Sequence, residues 1–197
     1  ADNVKLTETE KFSQEFFTTV ATLTQGGSLD QDTIDQVGAS LAENIQNSAQ
    51  RKIYVAKNIK ITTDESKASI QAYGIKLKDL LKKYPLNVDI GTIIEQSLTE
   101  DGDIDTSMFK KLDPAINQLN GITKEMLSAS TPQSLSTLHL EVINGFEKLS
   151  ENLTDIKLID SDTIVAFSAM SQYMDNMTKA QESLNNLISA VNQRLKD

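Results

Sequence analysis

Cysteine is absent from this chain, which excludes disulfides and thiolate metal sites. That absence does not choose a compartment, since it fits both the cytosol and an oxidising exterior. Tryptophan is absent too, aromatic residues make up 5%, and there are only 8 glycines and 3 prolines in 197 residues. So few turn residues and aromatics disfavour a β-sandwich and favour a helical bundle. Positive charge is short as well: 19 Lys and Arg face 28 Asp and Glu, a formal net charge of −9. Neutralising phosphates needs clustered Lys and Arg, so this balance speaks against nucleic acid as a partner. No run approaches the roughly 20 apolar residues of a membrane span. No charged segment followed by an apolar one opens the chain as a signal peptide would. A start of Ala1-Asp2-Asn3 fits a mature protein cut after a removed signal or anchor, and equally a trimmed chain.

What is there is helical periodicity. The length suffices for one large core, and the reading is a single all-α domain over 1–197, a multi-helix bundle. N-terminal helices in 1–130 pack on a long C-terminal αα-hairpin, 131–197. Thr131-Pro132 reads as a helix start, Thr131 as N-cap and Pro132 at the first helical position. From there Leu135, Leu138, Val142, Phe146, Leu149, Leu153 and Ile156 form one apolar stripe. Asp160 and Ser161 offer caps for the final helix, and Asp160 and Asp162 suit its positive end. Phe167, Met170, Met174, Met177, Gln181, Leu184, Ile188, Val191 and Leu195 then alternate steps of three and four. They predict a heptad seam with the polar Gln181 at or near its interior, packed inside the protein's own bundle or, as the alternative, joining two chains in a coiled coil.

The expected helices run near 7–25, 30–50, 64–84, 89–99, 106–128, 132–157 and 161–195. Thr7-Glu8-Thr9-Glu10 is a capping box, and Gly26-Gly27 ends the first helix. Asp64 is expected to cap the third helix, Asp89 to start the fourth, and Asp113-Pro114 to break the fifth. Residues 51–63 alternate like a strand at Ile53, Val55, Ile59 and Ile61, but no second strand stands out as a partner. They read as a helix end followed by an extended connection.

Few residues invite chemistry. Asp101-Gly102-Asp103-Ile104-Asp105 resembles part of a calcium loop. With Gly102 as its sixth position, positions one, three and twelve are Ser97, Thr99 and Met108; with Asp101 first, the sixth is Thr106 and the twelfth Leu112. Neither register supplies the glycine together with the bidentate glutamate. His139 is the only histidine, and the i+4 position that a helical metal pair would use is Ile143. It reads as a structural histidine. Lys76, Lys78, Lys82 and Lys83 read as one solvated helix face. Asn152-Leu153-Thr154 and Asn176-Met177-Thr178 match the glycosylation acceptor pattern but read as chance matches within helices. No nucleophile elbow, phosphate loop or dinucleotide fingerprint occurs. No catalytic, cofactor-binding or metal-ligating residue is therefore assigned.

Thr131-Pro132, Leu138-His139-Leu140, Asn144, the acidic break at Asp160, Ala166, Tyr173 and the long final helix carry one resemblance. This pattern resembles that of uncharacterised extracytoplasmic helical proteins of candidate-phyla-radiation bacteria. Ser161 departs from it, standing where a proline is expected after the aspartate. The resemblance implies a place outside the cytoplasm, in the cell envelope, at the surface or secreted, and a non-enzymatic role. The expected function is a structural or interaction protein of the bacterial envelope or surface, tied to a surface appendage or secretion apparatus. Its partners would be other envelope proteins, and a monomer is favoured. The alternative is a helical-bundle enzyme or ligand-sensing domain with a polar site between helices.

Overall fold

The computed structural model describes residues 6–14, 18, 51–85, 89–97, 99 and 104–196. The expected helix over 30–50, the Gly26-Gly27 stop and Asp101 to Asp103 lie outside the described residues. Six helices lie within them, so the fold is all-α in the main. They are α1 (residues 8–14), α2 (Lys67–Lys83), α3 (Ile90–Ser97), α4 (Asp113–Ser128), α5 (Ser136–Ile156) and α6 (Thr163–Lys196). Short 3-10 turns at Ala56–Asn58, Thr106–Leu112 and Gln133–Leu135 link them.

Several starts follow the expected chemistry. Thr7 and Glu10 close the capping box, with Thr7 N donating to Glu10 Oε2 at 2.8 Å and Glu10 N to Thr7 Oγ1 at 3.1 Å. Asp89 accepts from Thr92 N at 3.0 Å and starts α3. At Asp113-Pro114 a 3-10 turn gives way to α4, with Pro114 in the first turn where no N–H is needed. Other starts differ. Ser66, not Asp64, caps α2, accepting from Ser69 N; Asp64 instead accepts from Ser66 N at 2.9 Å and shapes the approach. Asp162, not Asp160 or Ser161, occupies the start of α6, and its backbone carbonyl accepts from Ala166 N at 3.1 Å.

The expected helix start at Thr131-Pro132 is a strand. Lys60–Thr62 (β1) pairs in parallel with Ser130–Pro132 (β2), placing Ile61 opposite Thr131. Here is the partner that the 51–63 region lacked on paper. Pro132 has φ −54° and ψ 137°, an extended conformation that its fixed φ allows as readily as a helix. Proline also biases the residue before it toward extended backbone. Thr131 is fully buried, its hydroxyl donating to Ala129 O at 3.3 Å, so it caps nothing.

One hydrophobic cluster links α2, α3, α4, α5 and α6. The expected stripe lines it: Leu135, Val142, Phe146, Leu149, Leu153 and Ile156 are buried, and Leu138 is partly buried against them. The seam expected on α6 is rotated. Phe167, Met174 and Met177 are 42%, 60% and 41% exposed, and Gln181 is exposed, its amide donating to Asn185 Oδ1 at 3.2 Å. The buried line runs largely one residue earlier, through Ala166, Ala169, Tyr173, Ala180 and Leu187 to Val191. One residue is about 100° of helix, so the inward face is mostly small side chains. The cause is close approach to α5. A Cβ on Gly145 would sit 3.1 Å from Ala180 Cβ and 3.2 Å from its Cα. Methionine and phenylalanine do not fit a contact that tight, and they turn outward.

Candidate functional site

His139 lies inside the bundle at 1% exposure. Its Nε2 is 3.1 Å from the Met126 carbonyl oxygen, which can only accept, so Nε2 carries the proton. Nδ1 then accepts from the Tyr73 hydroxyl at 2.7 Å. The triad ties α5 to α2 and to the end of α4. Burial holds the imidazole well below its usual range, at about 4, against the opposing pull of the Met126 carbonyl. Burial raises the Tyr73 phenol above its usual range. Both ring nitrogens are engaged within the core, as a structural histidine requires.

A polar ladder marks another face of α5. Asn144, Glu147, Glu151 and Asp155 recur at steps of three and four and receive the extended chain from Arg51 to Tyr54. Glu151 accepts from the backbone N–H of Arg51 at 3.0 Å and of Lys52 at 2.9 Å. The Arg51 guanidinium bonds both oxygens of Asp155 at 2.8 Å. Tyr54 OH donates to Glu147 at 3.2 Å. Burial raises the Asp155 carboxyl's pKa, with Arg51 working against it. The ladder is filled by the chain itself and performs an internal peptide recognition.

Among the remaining flagged residues, Asp105 is spent as the cap of the Thr106–Leu112 turn, accepting from Ser107 N at 3.0 Å. No group of three or more His, Cys, Asp or Glu is placed to hold a metal ion among the described residues. Asn152 is 1% exposed within α5, and its Oδ1 accepts from Asn176 Nδ2 at 2.8 Å. The two acceptor-pattern asparagines thus bond each other, and a buried helical Asn152 offers no glycan access. The four lysines of α2 do not share one face. Lys76 and Lys83 reach Glu125 at 3.2 and 2.5 Å, whereas Lys78 and Lys82 line a groove on another side.

Two cavities open beside α6. One, of about 450 Å³, lies between α3, α4, α5 and α6 and is lined by Ile90, Leu119, Phe146, Tyr173 and Gln181 among others. The other, of about 460 Å³, lies between α2 and the last turns of α6. Both are mainly apolar, and His139 lines neither. Sequence reasoning missed them because each is assembled from segments far apart in the chain. Asn144 was likewise not legible as a partner of Tyr54, whose N–H donates to its Oδ1 at 2.7 Å, because the sequence does not show which segment a helix-face asparagine meets.

No helix among the described residues is long and apolar enough to cross a membrane. Comparison with family models, with curated proteins and with solved structures finds no match to this chain.

Proposed function

We propose that this protein is a non-enzymatic interaction protein of the bacterial cell envelope or surface, working through the outer face of α6. The observation that carries the reading is the exposure of Phe167, Met174 and Met177 on one 34-residue helix. Methionine side chains are flexible and polarisable and suit a contact surface that adapts to a partner. The partner is another envelope or surface protein, with a surface appendage or secretion apparatus as the setting. The extracytoplasmic placement draws on the resemblance carried by residues 131–197.

Photo-crosslinking in intact cells tests it. A photoreactive residue at Met174 or Phe167 should give one discrete adduct in the envelope fraction, while one at the exposed Lys124 of α4 should not. Equal labelling from all three positions, or recovery of the protein only in the cytosol, would overturn the proposal.

A ligand-sensing bundle is the second reading. The α2–α6 groove favours it, though that groove is apolar and not the polar site that the sequence suggested.

A further inference from the structure

The groove between α2 and the end of α6 has a shape and a charge that interaction through the outer face of α6 leaves unused. Leu77 and Leu81 line it from α2, Val191 and Leu195 from α6. Gly74 brings the two helices together beside it: a Cβ there would meet Val191 Cγ1 at 2.9 Å. Ile75 also lines the groove and is 54% exposed. The volume, about 460 Å³, lies in the range of small-molecule sites.

Size discriminates between occupants. From Gln71 to Lys82 α2 rises about 16 Å. A partner helix 10–12 Å across would occupy on the order of 1,200 Å³ or more over that length, so the groove could take in only part of it. A single extended acyl chain fits within. Charge discriminates further. Lys78 and Lys82 line the groove, exposed, and neither makes a hydrogen bond or ion pair among the described residues. Asp79, three residues before Lys82, forms no salt bridge with it. On a chain of net charge −9, two ammonium groups with no ion pair among the described residues, beside an apolar slot, select an anionic head.

We propose that this groove binds a free fatty acid, with its chain between Leu77, Leu81, Val191 and Leu195 and its carboxylate at Lys78 and Lys82. The inference stands apart from the interaction role of α6.

Calorimetry of the full chain with sodium dodecanoate, dodecyltrimethylammonium and dodecyl maltoside, each below its micelle concentration, provides the test. Dodecanoate should saturate at one per chain and bind about tenfold more tightly than the cationic amphiphile, a gap that one favourable charge contact sustains. The variant Lys78→Glu/Lys82→Glu should reverse that preference. Asn192→Trp, placing a ring in the groove from an exposed position, should abolish binding of all three. Circular dichroism checks that both variants keep their helices. Indifference to head group, failure to saturate, or dodecanoate binding that survives Asn192→Trp would each overturn the proposal.

Discussion

Asn144 holds the backbone N–H and C=O of Tyr54 as a neighbouring strand would. Its Oδ1 accepts from Tyr54 N at 2.7 Å and its Nδ2 donates to Tyr54 O at 3.0 Å. One side chain thereby satisfies both backbone groups of a residue 90 positions earlier. Asn144→Leu removes both bonds and leaves two half-buried backbone groups without them. The expected loss is about 1–3 kcal/mol in urea unfolding. Amide exchange at Tyr54 should accelerate more than elsewhere. Unchanged exchange there would show that the clamp is incidental.

Acid should weaken the fold through His139. Its folded pKa, about 4, lies below the ordinary value of 6.5. Between those values the unfolded chain binds a proton that the folded one refuses, so stability falls as pH drops across that window. The full term amounts to about 3 kcal/mol. As the only histidine, it gives an unambiguous NMR titration. A midpoint near 6.5 would contradict the buried neutral imidazole, and His139→Gln should flatten this part of the stability profile.

Glu125 should titrate in a lower window. Lys83, Tyr84 and Lys76 all bond its carboxylate and hold its pKa down to about 2, Lys83 most strongly. A lowered folded pKa means stabilisation present above the ordinary glutamate range and lost as pH falls through the folded value. Carboxyl NMR should find it among the most acidic glutamates. Lys83→Met should move it upward, and an unmoved value would exclude the ion pair as the cause.

The register of α6 can be read by paired substitutions. Ala180→Leu forces extra volume against Gly145, where even an added Cβ would lie only 3.1 Å from Ala180 Cβ, and should cost about 1–3 kcal/mol or more. Gln181→Leu, one residue on, should stay within about 0.5 kcal/mol of wild type and leave the mass seen by light scattering unchanged. The reverse ranking would restore the seam through Gln181.

Much of the bundle was legible because large apolar residues at helical spacing mark a buried face. The stripe from Leu135 to Ile156 on α5 is the clearest instance. The same rule failed on α6, where Met174 and Phe167 outweigh Ala166 and Ala169 in hydrophobicity yet lose to them in fit. Helix packing there is decided by how near two backbones come, and alanine permits more than methionine. Thr131-Pro132 misled because its dihedral preferences suit both a helix start and a strand, and only Lys60–Thr62, far back in the chain, decides between them. The candidate groove had no local signature: Gly74 and Val191 meet only in three dimensions.

The start of α1 depends on a residue at the opposite end of the chain. Asp162 accepts from Glu8 N at 2.9 Å and from Thr9 N at 3.1 Å, while Thr9 Oγ1 accepts from Ile164 N at 3.0 Å. During synthesis the first helix leaves the ribosome long before its acceptor exists. The separation from Thr9 to Asp162 is 153 residues, which at 5–20 residues per second is a wait of roughly 8–30 s. Until Asp162 is made, the Glu8 and Thr9 N–H groups lack the carboxylate that accepts from them in the folded chain.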